Sequence, residues 1–296
     1  MIKFAAIDIG SNAVRLLFSQ VFPEYDPPVF KKISLIRMPL RLGNDAFIDH
    51  KISPEKSRKL IQTMQGFRHL IDSYEPVDYM ACATSALRES ENGPDLAIKI
   101  KELTGINIEI IDGKREAEII YYTHIAESLQ NKIFYIYLDV GGGSTEITFF
   151  KKSKVTRSAS FNIGAIRLLN NLVPETAWQE MKMWLKENVS GEEKINIIGS
   201  GGNINKLYRL ANQKNDKPLS YNKLKRMESY LRSFSTDERV KNLGLRPDRA
   251  DVIIPATKIY LSVMKWAKAS HIYVPQIGLA DGMIHVIYGN HKPTNA

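Results

Sequence analysis

The sequence predicts an α/β protein of two domains, and three observations lead to this prediction. Strand-like and helix-like apolar patterns alternate along most of the chain, which is typical of α/β folds. A strand that ends in an aspartate and enters a glycine turn occurs at Asp8 and again at Asp139, so the two halves look like repeats of one unit. With 296 residues, of which 44% are hydrophobic, the chain is long enough for each half to bury its own core.

The first half begins with three predicted strands, at about 2–9, 13–22 and 29–42, that should form an antiparallel meander. A helix should follow, because Ser53 is a suitable N-cap and Pro54 suits the first helical position. The apolar residues of this helix recur at helical spacing and are expected to face the core: Leu60, Ile61, Met64, Phe67, Ile71 and Tyr74. A strand at 77–83, a helix near 93–104, a strand at 106–111 and a helix near 114–129 complete this half.

The second half is predicted to start again with a strand, at 133–139, and a hairpin at about 144–150 and 154–161. Helices near 164–188, a strand at 194–198, a helix-rich stretch from 203 to 269, a strand at 271–274 and a last helix from about Leu279 follow. We therefore predict domains at 1–124 and 125–296, hinged about a cleft. Packing of the last helix back on the first domain is left open.

Three glycine loops follow predicted strands, and their composition suits phosphate. The first glycine loop contains Gly10, Ser11 and Asn12, the second contains Gly141, Gly142, Gly143 and Ser144, and the third contains Gly199, Ser200 and Gly201. Glycines leave no Cβ between the main chain and a ligand, so successive N–H groups can converge on an anion. Asp139, at the end of its strand, suits a hydrated divalent cation that bridges carboxylate and phosphate, and Asp8 occupies the corresponding position in the first half. One such turn alone is more often a plain connection, but three in order predict a phosphate site.

Composition narrows the class of ligand and the compartment. The net charge of +9, from 41 Lys and Arg against 32 Asp and Glu, suits a polyanion. Nucleic acid is not favoured, because the basic residues are spread out and form no zinc-finger spacing, helix-turn-helix pattern or basic arm. The chain has no apolar run long enough for a membrane span and no signal-peptide pattern after Met1, so we expect a cytoplasmic protein. Its one cysteine, Cys82, is expected to be buried and inert.

Six sequence blocks together resemble the exopolyphosphatase and guanosine pentaphosphate phosphohydrolase family. Besides the first two glycine loops with their aspartates, the blocks are residues 83–89, 113–118, 161–168 and 249–255, and their order covers nearly the whole chain. The resemblance implies the superfold of actin, Hsp70 and sugar kinases, with two ribonuclease-H-like domains and an interdomain cleft. It also implies that the first and second glycine loops bind phosphate from the two sides of that cleft.

The resemblance assigns roles to individual residues. Glu116 would act as the general base, and Arg88 would stabilise charge on the transferred phosphoryl group. Mg²⁺ would be held by Asp139 and Glu146, with Asp8 as a further candidate. Phosphate would be bound by Asp8, Gly10, Ser11, Asn12, Thr84, Ser85, Gly141, Gly142, Gly143, Ser144, Gly199, Ser200 and Gly201, and a basic path would be formed by Arg167, Lys206, Arg246 and Arg249. Without the resemblance, the sequence pattern favours a solvent-exposed Glu116 in the first turn of a helix and an exposed Glu146 on a hairpin strand.

Some positions depart from the family pattern. Arg115 and Glu118 stand where the family usually has Glu and Arg, which puts in doubt a substrate contact by an arginine at position 118. Long members also carry C-terminal helical domains that help to bind extended polymer, and we expect this chain to be the short form. Short polyphosphates or guanosine pentaphosphate then become more plausible substrates.

The leading functional hypothesis is a Mg²⁺-dependent exopolyphosphatase that removes terminal orthophosphate from inorganic polyphosphate. One alternative is hydrolysis of guanosine pentaphosphate in the same site. An alternative from another functional class is an ATP-dependent kinase or a nucleotide-gated actin-like protein, in which the third glycine loop would contact adenosine. A non-catalytic polyphosphate-binding regulator is the last alternative, and the joint presence of Glu116, Asp139 and Glu146 argues against it. The family resemblance is compatible with a homodimer, for which apolar faces between Tyr221 and Trp266 would supply the contact, although the same faces suit internal core.

Overall fold

The computed structural model describes residues 1–123, 133–151, 154–192, 194–213 and 217–291. Within these residues the chain is a mixed α/β fold with two sheets, which confirms the predicted fold class. It divides into two compact units: unit 1 is Met1–Thr123 together with Leu279–Ala296, and unit 2 is His124–Gly278. The predicted limit between residues 124 and 125 lies outside the described residues. No helix in the described part of the chain combines the length and apolar character that a membrane span requires.

Unit 1 is built on a five-stranded sheet. Its strands are β1 (Ile2–Ile9), β2 (Val14–Phe22), β3 (Val29–Met38), β4 (Asp78–Ala83) and β5 (Glu109–Ile110). Its described helices are α1 (Leu42–Ile48), α2 (Pro54–Tyr74), α3 (Ser85–Arg88), α4 (Gly93–Thr104), α5 (Gly113–Tyr121) and α13 (Leu279–Asn290). The strand order is β3-β2-β1-β4-β5, in which β1, β2 and β3 are antiparallel neighbours and β4 and β5 run parallel to β1. The predicted meander is therefore confirmed.

Helix α2 begins where the sequence predicted. The Ser53 side chain accepts a hydrogen bond from the Lys56 N–H, and Pro54 occupies the first helical turn. Of the predicted apolar stripe, Leu60, Met64, Phe67 and Ile71 are buried. Strand β3 ends at Met38 and not at residue 42, because Pro39 follows and has no N–H to donate to the sheet. Helix α1 was not predicted; it begins after Arg41, which adopts a left-handed backbone (φ 52°). Contacts distant in sequence then support the helix, as the Gly43 N–H donates to the Ser11 carbonyl at 2.8 Å.

Unit 2 is built on a six-stranded sheet. Its strands are β6 (Phe134–Val140), β7 (Thr145–Lys151), β8 (Lys154–Phe161), β9 (Ile195–Ser200), β10 (Leu219–Ser220) and β11 (His271–Tyr273). Its described helices are α6 (Ala165–Leu169), α7 (Glu175–Val189), α8 (Gly202–Leu210), α9 (Tyr221–Arg232), α10 (Thr236–Lys241), α11 (Pro247–Ala250) and α12 (Ile253–Trp266). The strand order is β10-β11-β9-β6-β7-β8, with β9 parallel to β6 and β11 parallel to β9.

The two units repeat one topology, as the sequence predicted. In each, a strand that ends in aspartate pairs antiparallel with the next strand and parallel with a later one: β1 with β2 and β4, and β6 with β7 and β9. Asp8 faces Arg15 in the antiparallel pair, whereas Asp139 faces Glu146 at the equivalent position. The repeat thus places a carboxylate at corresponding sheet positions but surrounds each carboxylate with different charges.

Cys82 gives a first testable prediction about the interior of unit 1. Its side chain is buried, and burial, together with the nearby carboxylates of Glu109 and Asp8, raises the pKa of the thiol to about 12. The thiol is therefore protonated, and so unreactive, at pH 8. We expect no reaction with Ellman's reagent at pH 8 in the native protein and one equivalent of released thionitrobenzoate in guanidinium chloride, since the chain has one cysteine. Release of a full equivalent from the native protein within minutes would contradict this burial.

Candidate functional site

In unit 1, three polar segments lie at one edge of the sheet. Strands β1, β4 and β5 are parallel, so their carboxyl ends meet at that edge, where α/β proteins commonly bind ligands. The first glycine loop follows β1, the Thr84 segment follows β4, and α5 follows β5. The Thr84 N–H donates to the Ile9 carbonyl at 3.1 Å, and the hydroxyls of Ser11 and Ser85 share a hydrogen bond at 2.8 Å. The structure therefore brings together the first glycine loop and the predicted Thr84 and Ser85 segment.

The first glycine loop is a tight turn. The Gly10 N–H donates to the Ala13 carbonyl at 3.1 Å, and a Cβ at Gly10 would lie 3.3 Å from that oxygen. The Asn12 carbonyl accepts a hydrogen bond from the Arg41 N–H at 3.1 Å. Hydrogen bonds from the start of α1 thus fix the backbone conformation of the loop, as an anion-binding loop requires.

Asp8 has a basic partner within its own unit. The carboxylate is 5% exposed and forms an ion pair with Arg15, its cross-strand partner. Because this pair already neutralises the carboxylate, Asp8 is a poorer candidate for a divalent cation than the sequence suggested.

Glu116 lies in the first turn of α5. The Asp112 side chain caps that helix by accepting a hydrogen bond from the Arg115 N–H at 2.7 Å. Glu116 is 8% exposed, whereas Lys114 and Glu118 on either side of it are exposed. The alternative of a solvated side chain is therefore wrong for Glu116. Its catalytic role stays a prediction.

Arg88 ends α3 and contacts the start of the next segment. Its Nη1 donates to the Ile111 carbonyl at 2.7 Å, and its side chain is half-buried. A guanidinium carries five N–H donors, so this one bond orients the group without using its full donor capacity. Its role in stabilising phosphate oxygens stays a prediction.

In unit 2, the second glycine loop is fastened to α6. The Gly141 N–H donates to the Ser144 carbonyl at 3.0 Å, which closes the turn. From the start of α6, the Ala165 N–H donates to the Gly141 carbonyl at 3.0 Å and the Ile166 N–H donates to the Gly142 carbonyl at 2.8 Å. Arg167, predicted for the polyanion path, donates from Nε to the Gly143 carbonyl at 2.8 Å. Arg167 therefore also supports the loop.

Asp139 and Glu146 form a pair of facing carboxylates. They are direct partners in the antiparallel register of β6 and β7, so their side chains lie on the same face of the sheet. The Ser200 hydroxyl donates to Asp139 Oδ2 at 3.1 Å, and the Ser160 hydroxyl donates to Glu146 Oε1 at 2.9 Å. Glu146 is only 5% exposed, so the alternative of an exposed hairpin residue is wrong. Facing carboxylates repel one another unless a cation neutralises them.

The Asp139 and Glu146 pair suits a magnesium ion that takes its remaining ligands from water and phosphate. Among the described residues no group of three or more His, Cys, Asp or Glu side chains could hold a metal ion. Mg²⁺ is commonly bound by one or two carboxylates and completes its shell with water and phosphate oxygens. The donor set of Asp139 and Glu146 therefore fits Mg²⁺, whereas Asp8 with Arg15 does not.

The third glycine loop is tightly packed. A Cβ at Gly199 would lie 2.6 Å from the Cδ1 of Ile272, and Gly201 has a φ of 105°, a conformation that favours glycine. Ser200 is 1% exposed, and its main-chain carbonyl accepts a hydrogen bond from the Tyr260 hydroxyl. Burial, and then the charge of Asp139, raise the pKa of Tyr260 well above its ordinary value, so the phenol remains a donor. The loop leads into α8, whose first turn supplies N–H groups.

Basic side chains cluster near α8. Burial, and then the neighbouring cations Arg209 and Arg249, lower the pKa of Lys206. The Lys206 ammonium also donates to the Gly244 carbonyl at 3.3 Å, and Arg246 is exposed at the start of α11. Arg209 was not among the predicted residues, although it follows Lys206 by three positions on a helix, a spacing that places two side chains side by side.

Tyr260 was also missed. It lies in a helix whose residues are mostly apolar, and its partner Ser200 is 60 residues away in sequence, so no local pattern indicated the contact.

Two curated proteins illustrate what this chain is similar to in sequence. A bifunctional 3-dehydroquinate synthase/phosphatase of Fusobacterium nucleatum is 29% identical over 299 residues, covering 92% of this chain but 44% of that protein. Exopolyphosphatase 1 of Mycobacterium tuberculosis is 23% identical, covering 95% of this chain and 87% of the relative. The chain therefore spans less than half the length of the first relative.

Solved structures support the same fold. An exopolyphosphatase from Cytophaga hutchinsonii superposes with a TM-score of 0.84 at 23% identity, over 97% of this chain and 98% of that one. A Ppx/GppA family member from Aquifex aeolicus superposes with a TM-score of 0.78 at 24% identity, over 99% of each chain. These neighbours have the two-domain fold of actin-like ATPases. The family model described as the Ppx/GppA phosphatase family matches residues 25–291, and this chain belongs to that family.

Proposed function

We propose that this protein is a Mg²⁺-dependent exopolyphosphatase that releases orthophosphate from the end of inorganic polyphosphate. The observation that carries the proposal is the facing pair of Asp139 and Glu146 beside the second glycine loop. Membership of a phosphatase family and the exopolyphosphatase names of relatives support the reaction class.

Asp139 and Glu146 would hold Mg²⁺, which supplies neutralisation of charge on the phosphate oxygens. The second glycine loop would donate main-chain N–H groups to the terminal phosphate. The hydrogen bonds from α6 fix the carbonyls of the second loop, which keeps its peptide planes in one orientation. Such preorganised donors stabilise developing charge without reorganising during the reaction.

Glu116 would take a proton from the attacking water. The water oxygen forms a bond to the terminal phosphorus while the bond from phosphorus to the bridging oxygen breaks, and the shortened polyphosphate leaves. Arg88 would stabilise the transferred phosphoryl group, as its contact with the Ile111 carbonyl orients the guanidinium. The buried position of Glu116 limits competing solvation of its carboxylate.

The basic cluster of unit 2 would guide the remaining polymer. Besides burial, the charges of Arg209 and Arg249 lower the pKa of Lys206, and a bound polyanion would offset this repulsion. Such a cluster binds phosphate through charge alone and requires no base or sugar in its ligand, so an inorganic polyphosphate would suit it.

The proposal predicts Mg²⁺-dependent phosphate release. We expect orthophosphate from a short and a long polyphosphate, abolished by EDTA and restored by excess Mg²⁺. Guanosine pentaphosphate and ATP, compared at equal concentrations of terminal phosphate, test the two enzymatic alternatives.

Each outcome of this comparison decides between hypotheses. Faster release from guanosine pentaphosphate than from either polyphosphate would replace the substrate assignment. Transfer of phosphate from ATP to an acceptor would favour a kinase. An absence of release from every substrate would reject a phosphohydrolase.

A further inference from the structure

A buried chain of hydrogen bonds leads from α12 to Asp139. Tyr260 is fully buried on α12, and its hydroxyl donates to the main-chain carbonyl of Ser200. Ser200 lies beside Asp139 in the parallel register of β6 and β9, and its own hydroxyl is 3.1 Å from Asp139 Oδ2. The main-chain carbonyl of Ser200 thus accepts the hydrogen bond from Tyr260, while the Ser200 side chain contacts Asp139.

The Ser200 hydroxyl has a second acceptor. It is 3.0 Å from the Ile277 carbonyl, but a hydroxyl carries one proton and can donate one strong bond at a time. Small movements of the Ser200 backbone would therefore decide which acceptor receives the proton. The bond from Tyr260 to the Ser200 carbonyl restrains such movements.

Gly201 lets these groups approach one another closely. A Cβ at Gly201 would lie 3.1 Å from Asp139 Oδ1 and 3.2 Å from the Tyr260 hydroxyl. The carboxylate and the phenol therefore pack against the same stretch of main chain. This packing leaves little room for Ser200 to shift without moving Asp139.

The hydroxyl of Tyr260 is not needed for apolar packing. A buried phenol costs free energy unless its hydroxyl is hydrogen-bonded, and phenylalanine would fill nearly the same volume. In unit 1, the position equivalent to Ser200 is held by Cys82, a weak donor, and there Asp8 is paired with Arg15 instead. The hydroxyls of Tyr260 and Ser200 are therefore found beside Asp139, the aspartate whose cross-strand partner is a second carboxylate.

We propose that Tyr260 is a positioning residue that acts through Ser200 to hold the Asp139 carboxylate in the orientation for cation binding. This inference rests on the proposed function of Asp139 and adds a residue outside the three glycine loops. Groups that orient a metal ligand commonly affect metal affinity by about 10–100-fold.

The test measures cation binding directly. Mn²⁺ serves as a spectroscopic probe for Mg²⁺, and its binding to the full chain without substrate is followed by electron paramagnetic resonance. We expect Tyr260→Phe to weaken Mn²⁺ binding by about tenfold or more. The concentration of Mg²⁺ needed for half-maximal phosphate release should rise by a similar factor, while the rate at saturating Mg²⁺ changes less.

Tyr208→Phe is the matched control. Tyr208 is also buried in unit 2, and its hydroxyl donates to the Lys217 carbonyl at 3.0 Å. Both variants lose one bond from a buried phenol to a main-chain carbonyl, so similar drops in melting temperature are expected. Only Tyr260→Phe should change Mn²⁺ affinity.

The outcomes separate this inference from the proposed function. If the wild-type protein binds Mn²⁺ and Asp139→Asn removes that binding, but Tyr260→Phe binds like the wild type, the positioning role is wrong and the proposed site survives. If the wild-type protein binds no Mn²⁺, both proposals fall. Should Tyr260→Phe not fold, Ser200→Ala replaces it, with the same weakening expected and unchanged affinity as the contrary result.

Discussion

Glu116→Gln is expected to slow orthophosphate release by about 10²–10⁴-fold while polyphosphate binding persists. The substitution keeps the shape of the side chain and removes its ability to accept a proton from water. Glu116 is buried, so a neutral amide should be accommodated without a large loss of stability. The effect should therefore appear in the chemical step, measured by single-turnover phosphate release, and not in the dissociation constant measured by calorimetry.

Glu118→Gln is the control for Glu116→Gln. Glu118 lies on the same helix, is exposed, and forms an ion pair with Arg115 at 3.4 Å. Exposed pairs of this kind contribute about 0–1 kcal/mol, so the control should keep both its stability and its rate. If Glu116→Gln turns over within a few-fold of the wild type, the general-base assignment is wrong.

Local signals predicted most of the fold. The Ser53 cap, Pro54 and the apolar spacing of α2 all act within a few residues, so the sequence revealed the helix and its start. Helix α1 was missed because its support is distant: Gly43 bonds to the first glycine loop, more than 30 residues earlier in the chain. The predicted strand at 106–111 shortens to Glu109–Ile110 for a related reason, since its pairing is confined to the end of β4.

The candidate site was predictable where it follows glycine and aspartate patterns. The loops themselves carry a recognisable composition, but their electrostatic partners depend on strand register. Counting across the short β1–β2 turn would have placed Arg15 opposite Asp8, and this register explains why the two aspartates differ. The contact of Tyr260 with Ser200 had no such signal, because it joins a helix to a strand end across 60 residues.

Gly164→Ala is expected to disrupt the second glycine loop. Gly164 has φ −128° and ψ 162°, which any residue can adopt, so its requirement for glycine is one of space. A Cβ there would lie 2.3 Å from the Gly142 carbonyl oxygen and 2.4 Å from the carbonyl carbon of Gly143. Both neighbours are main-chain atoms, which cannot rotate away as a side chain could. We expect a loss of about 1–3 kcal/mol or more in the free energy of unfolding, measured by chemical denaturation.

Gly66→Ala separates this effect from glycine replacement in general. Gly66 lies within α2, and a Cβ there would have no atom within 4 Å, so alanine should stabilise the protein by about 0.5–1 kcal/mol.

Gly164→Ala should also reduce activity for a reason separate from stability. The hydrogen bonds from Ala165 and Ile166 to the loop carbonyls must lengthen if the new methyl group forces α6 away. Phosphate release should therefore fall at temperatures where the variant is still folded. Wild-type stability and wild-type release in Gly164→Ala would show that the contact between α6 and the loop is looser than the structure indicates.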